Sequence, residues 1–321
     1  MPPSFSLRTA DMLLEEVTRQ LQDGDPASPA ARKVLLDVLK QALEQARSAT
    51  EKDLLADHRG TRCARNLAAA QDEIIRAIYL YAITFVFPGQ TASGKGGLSL
   101  AAVGGYGRAT LAPGSDIDLL FILSGPPDTE LEALTEFVLY MLWDLGQKVG
   151  HAVRSLDDCI RMATTDMTIR TATLEARFLA GSRDIFDSLE RRFEKEIIAG
   201  TGPRFIEAKL AERDQRHEAM GNTRYVVEPN IKDGKGGLRD LNTLFWIGKY
   251  FYAVKSNREL VDKGVFSRSE LRIFEKAEDF LRSVRCNLHF LTGRAEEKLH
   301  FDVQPELARR LGFADRAGML S

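Results

Sequence analysis

Cysteine is scarce in this 321-residue chain. Cys63, Cys159 and Cys286 stand far apart, odd in number and without a Cys-x-x-Cys pair. That excludes a disulfide framework and argues against a thiolate zinc site, and leaves three small buried hydrophobes as the reading. Long apolar runs are missing too. The most apolar stretch, residues 77–87, has 11 residues, where a membrane-crossing helix needs about 20. The first residues lack a basic region followed by an apolar core, so no secretory leader is visible. Together these absences point to a cytoplasmic location and no membrane partner. Charge of one sign is not in excess either: 44 basic against 46 acidic residues, net −2. A chain that grips a phosphate backbone carries a basic surplus, so a nucleic acid partner is not expected. None of the five histidines, His58, His151, His217, His289 and His300, is followed by aspartate.

What is present has the length of about two domains. Residues 1–90 read as a helical region, with Leu35, Leu36, Leu39 and Leu43 at helical spacing and a second helix over 72–87 that Pro88 stops. A small-residue linker follows at 89–97. Its Gly-x4-Gly-Lys spacing resembles a phosphate loop, but Gly96 stands where Ser or Thr is required and a strand follows it instead of preceding it. Residues 98–105 and 116–123 read as strands joined by a loop over 106–115. A helix capped by Asp128 then runs to about 147, and a third strand lies at 149–155. Beyond it the pattern is mainly helical, at 157–163, 166–180, 183–198, 203–220 and 237–254, with a last long helix opened by the capping box of Ser267 and Glu270. The expected fold is α+β: a core of a small mixed sheet with helices over 91–190, flanked by the helical regions 1–90 and 191–321.

The informative segment is residues 104–122, GGYGRATLAPGSDIDLLFI. Two glycines end a buried strand and let a ligand approach the backbone closely. Asp116 and Asp118 follow at a spacing that puts both on one face of a strand. Paired carboxylates repel each other unless a cation sits between them. Magnesium, which takes a few carboxylates together with phosphate oxygens, suits the pair. Ser115 and nearby backbone N–H groups can hold phosphates. Such a metal clamp favours nucleotidyl transfer, polarising the α-phosphate and stabilising the departing pyrophosphate.

The spacing Gly-Gly-x9-Gly-Ser-Asp-x-Asp resembles the signature of the polymerase-β-like nucleotidyltransferases. Its fuller form is similar to the bacterial PII uridylyltransferase/uridylyl-removing enzyme family. Three further blocks carry the same resemblance: VGHAVRSLDDC at 149–159, TLEARFLAG at 173–181 and EPNIKDGKGGLRDL at 228–241. The resemblance implies UTP as donor, Mg2+ as cofactor and a tyrosine of the PII signalling protein as acceptor. By match of motif, Asp116 and Asp118 become catalytic metal ligands, and Gly104, Gly105 and Ser115 bind nucleotide. Arg108 is either a triphosphate contact or a loop arginine in a salt bridge. Lys232 and Lys235 form a cationic loop over the nucleotide or a simple helix-entry turn, with the resemblance favouring the former.

Two departures stand out. No third carboxylate occupies the next strand, so the general base is unassigned, with His151 as one candidate. The family continues into an HD-type phosphohydrolase domain and two ACT domains; this sequence shows neither, and reads as an amino-terminal portion without uridylyl-removing activity. Competing expectations are a fragment that binds nucleotide or PII without turnover, and a transferase with another acceptor.

Overall fold

The computed structural model describes residues 5–22, 24–88, 97–125, 129–254, 256 and 258–314. The expected linker at 89–97 falls outside these residues except for Gly97, as does the expected cap Asp128. The chain divides into two compact units. The first comprises Met1–Ala49, Asn66–Leu111 and Ser115–Glu196; the second comprises Thr50–Arg65, Ala112–Gly114 and Ile197–Ser321.

The first unit is an α+β body. Its helical part is α1 (Ala10–Leu21), most of α2 (Pro29–Asp57) and most of α3 (Gly60–Tyr81), which runs on into a π-helical turn at Ala82–Val86. Its sheet has four strands in the order β3-β2-β1-β4, formed by β1 (Leu98–Ala102), β2 (Ile117–Leu123), β3 (Val149–Ser155) and β4 (Arg177–Gly181). β1 runs antiparallel to both β2 and β4, while β2 and β3 are parallel. The parallel pair needs a crossover, which α5 (Thr129–Asp144) supplies. β1 is buried throughout, and Asp118 is the only residue of β2 that is not. Two-sided burial explains why β2 reads as a nearly continuous apolar run. The helices α6 (Leu156–Thr165), α7 (Met167–Leu174) and α8 (Arg183–Arg192) complete the unit. Ser155 caps α6, and Asp166 caps α7 by accepting from the amides of Thr168 and Ile169 at 2.7 and 3.0 Å.

The structure corrects two expected elements. The helix expected over 166–180 ends at Leu174, and residues 177–181 become β4. The edge of β1 offers unpaired backbone groups, and pairing with it outweighs the helical reading of a short apolar run. The strand expected over 98–105 stops at Ala102, and the loop that follows begins with a one-turn helix, α4 (Gly104–Gly107).

The second unit is helical. α9 (Gly202–Ala219) and α10 (Leu238–Tyr252) are joined by the stacked rings of Phe205 and Tyr250, whose centroids lie 3.9 Å apart. The Tyr250 hydroxyl donates to the Ile197 carbonyl at 3.0 Å. After the single turn α11 (Glu259–Asp262) comes α12 (Arg268–Thr292), opened by the expected capping box and closed by Gly293 at φ +66°. α13 (Gln304–Arg310) packs on α12 through Leu307, with Val284, Leu288 and Ile231 in the same buried cluster.

Candidate active site

In the first unit β1 leads directly into α4, and the turn is built around Gly104. Its φ of +56° is left-handed, and a Cβ there would lie 3.0 Å from Asp118 Oδ2. The Val103 amide donates to the Asp118 carbonyl at 3.0 Å, fixing that residue's backbone against the end of β1. On the other side the parallel register sets Gly150 beside Asp118, and a Cβ on Gly150 would come 2.6 Å from Oδ1. The Asp118 carboxylate therefore lies across two positions that have no side chain.

Asp116 stands just ahead of β2, whose pairing begins where the Ile117 amide donates to the Lys148 carbonyl at 2.9 Å. It is exposed, and no hydrogen bond or ion pair among the described residues engages it. Ser115 beside it is half-buried. One half-buried, backbone-fixed carboxylate two residues from an open one is a donor set of hard oxygens suited to a divalent cation that also binds phosphate. Among the described residues no group of three or more His, Cys, Asp or Glu side chains could hold a metal by itself.

The α4 turn is anchored by residues from several segments of the first unit. Tyr106 is fully buried, and its hydroxyl donates to Asp72 Oδ1 at 2.6 Å. Arg177, the first residue of β4, reaches both oxygens of Asp72 at 2.6 and 3.0 Å and the Tyr106 carbonyl at 3.3 Å. Burial first, and then the Asp72 carboxylate, push the Tyr106 hydroxyl well above its usual range, so it remains a donor. Arg108, which ends the turn, donates through Nη1 to both oxygens of Glu175 at 2.8 and 2.6 Å. Its Nη2 lies 3.6 Å from the position a Cβ on Gly105 would take. Glu175 is buried, so this is an interior ion pair rather than a surface one. Of these anchors, Tyr106 and Arg108 lie in the block 104–122 and Glu175 and Arg177 in the block 173–181, whereas Asp72 lies in none.

His151 lies on the other side of the sheet. Strand alternation turns it away from the face shared by Asp118 and Gly150, and its ring meets Trp143 of α5 edge-on at 6.1 Å. Lys232 and Lys235 belong to the second unit. Their loop is folded by Asn230, whose side-chain oxygen accepts from the amides of Lys232 and Asp233 at 3.0 and 2.7 Å. Lys232 Nζ lies 3.8 Å from Glu297 Oε1, and Lys235 Nζ donates to Asn222 Oδ1 at 3.1 Å. Asp240 ties the loop to α10 by accepting from the Gly236 amide at 2.7 Å, and is itself met by Arg216 and His217 of α9.

Residues 91–179, which carry the Gly-Gly turn and both aspartates, match the family model described as a nucleotidyltransferase domain, and the small mixed sheet accords with it. The chain is an enzyme of that class. Residues 204–321, the greater part of the second unit, match the model described as GlnD PII-uridylyltransferase. Together the matches make this a PII-uridylyltransferase-like protein. No helix among the described residues is long and apolar enough to cross a membrane.

Proposed function

We propose that the chain moves UMP from UTP to a tyrosine hydroxyl of the PII protein and releases pyrophosphate, using Mg2+ held by Asp116 and Asp118. The observation that carries this reading is the seat of Asp118: a carboxylate fixed through its own backbone, set over Gly104 and Gly150, two residues from an open Asp116. The matches to a nucleotidyltransferase domain and to a PII-uridylyltransferase domain support the donor and acceptor classes. The cation would supply positive charge to the α-phosphate and to the departing pyrophosphate.

The chain's own groups bind and orient. The α4 turn presents the backbone of Gly104 and Gly105, which can approach a phosphate closely because neither carries a side chain. Ser115 offers a hydroxyl next to Asp116 in the chain. Arg108, held through Nη1 by Glu175, has its Nη2 toward Gly105 and offers positive charge to the triphosphate. Lys232 and Lys235 take the nucleotide-binding role that their motif implies. In the transfer the acceptor oxygen bonds to the α-phosphorus as the bond to the bridging oxygen breaks. The catalytic core is read as residues 91–190, supported by the helical regions 1–90 and 191–321. The reaction is placed in the cytoplasm, where nucleoside triphosphates are made.

The test is transfer of label from α-labelled UTP to purified PII in the presence of Mg2+. Label on PII that is lost with Asp118→Asn, a nearly isosteric change, is the expected outcome. Label from ATP but not UTP, or on another acceptor, would replace the substrates and keep the chemistry. UTP binding with no pyrophosphate released would reduce the chain to a binding module.

A further inference from the structure

The turn that leads into Ser115 and Asp116 ends in a buried side chain far along the sequence. Gly114, grouped with the second unit, donates its amide to Nδ1 of His289 at 3.2 Å. His289 sits in the last turn of α12 and is 1% exposed. An imidazole that accepts at Nδ1 leaves Nε2 as its donor. That Nε2 faces Glu297 Oε1 at 3.7 Å. Glu297 in turn holds Arg285, one helical turn before His289, by contacts of 2.6 to 3.0 Å. Burial alone would raise the Glu297 carboxyl, but the His289 ring and the Arg285 guanidinium outweigh it and bring it down to about 2.

The packing around Gly114 is as restrictive as the hydrogen bond. A Cβ there would lie 2.8 Å from the Ala295 amide nitrogen and 2.9 Å from the Arg294 carbonyl carbon, both backbone atoms just beyond α12. The same short segment holds the lysine loop: the Ile231 amide donates to the Glu297 carbonyl at 2.9 Å, Asn230 bridges to Lys298, and Lys232 Nζ approaches Glu297 Oε1. Residues from two of the family-like blocks, 104–122 and 228–241, thus converge on one anchor at the end of α12. Neither His289 nor Glu297 lies within the blocks that pointed to the chemistry.

We infer that His289 is a positioning residue of the transferase site: by accepting from the Gly114 amide through Nδ1, it sets the backbone from which Ser115 and Asp116 start. The inference rests on the proposed role of Ser115 and Asp116. Its physical content is that the half-buried Gly114 amide takes its acceptor from the buried His289 ring, so removing that acceptor frees the turn to seek another conformation. A metal ligand displaced by about 1 Å can cost two orders of magnitude in rate.

The discriminating variants differ in which ring nitrogen they reproduce. Asparagine carries an oxygen at the place of Nδ1, whereas glutamine carries its terminal amide to the place of Nε2 and leaves the Gly114 amide without an acceptor. In full-length protein, His289→Asn should keep kcat within about threefold of the unaltered enzyme, while His289→Gln should lower it by about tenfold or more at little change in the KM for UTP. Slow exchange of the Gly114 amide, followed by NMR, should persist in the first variant and be lost in the second. Equal activities for the two folded variants would overturn the inference. So would fast Gly114 exchange in the unaltered protein, which decides the matter even if both variants fail to fold. If the unaltered protein transfers no label from UTP, the proposed function fails, while the Gly114 exchange still tests the anchor on its own.

Discussion

At the scale of single residues, the tightest constraint is the absence of side chains around Asp118. A methyl group on Gly150 would meet Oδ1 at 2.6 Å, and a carboxylate can swing away from it at little cost to folding. Gly150→Ala is therefore expected to leave the melting temperature nearly unchanged and to slow transfer by about tenfold or more, because the metal ligand has moved. Steady-state rates beside a thermal melt check this, and unchanged turnover would remove Asp118 from the metal site. The Arg108–Glu175 pair behaves in the opposite way. With Glu175 buried, Arg108→Met leaves an uncompensated interior charge and should destabilise the first unit by about 3 kcal/mol. Adding Glu175→Gln should recover much of that loss, which denaturant titration of the single and double variants measures. Asp118 drew attention as a charge within an otherwise apolar strand, and Asp116 and Ser115 as the polar residues just ahead of it. The meeting of Tyr106, Asp72 and Arg177 was not legible, because it depends on a sheet register that no local pattern encodes.

At the scale of elements, the carboxyl-terminal end of α12 is where pH should act on stability. The Glu297 carboxyl is depressed from 4.5 to about 2, so its contribution is fully present above about pH 4.5 and is lost as the pH falls toward 2. Its size is on the order of 3 kcal/mol, because each tenfold weakening of proton binding in the folded chain is worth about 1.4 kcal/mol. Urea midpoints measured between pH 6 and pH 3 should fall more steeply for the unaltered protein than for Glu297→Gln. Long, periodic elements such as α12 and its capping box were readable in advance, as were the apolar β2 and the turn-bounded β3. β4 was not, because five residues of mixed pattern acquire their strand character only from the open edge of β1.

At the scale of the whole molecule, near-neutral net charge sets the expectation for partners. With 44 basic and 46 acidic residues there is no global field to hold a polyanion. Added single-stranded RNA should leave the rate of transfer to PII unchanged at physiological salt, and strong inhibition would reveal a local basic groove. The class of enzyme was legible from four ordered blocks of sequence. How those blocks are anchored was not, since Asp72, His289 and Glu297 lie in segments with no motif of their own. The order of strands carries one more consequence, for the birth of the protein. β1 pairs with β4 across some eighty intervening residues, with Ser99 opposite Gly181. During synthesis from the amino terminus, β1 and β2 can zip together while the ribosome is still making α5, but the sheet stays one strand short until residue 181 has emerged. Glu175 and Arg177, which clamp the α4 turn, arrive only with that last strand. A nascent chain halted before it would carry both aspartates yet no rigid turn to face them, so competence for catalysis is acquired late and in a single closing step.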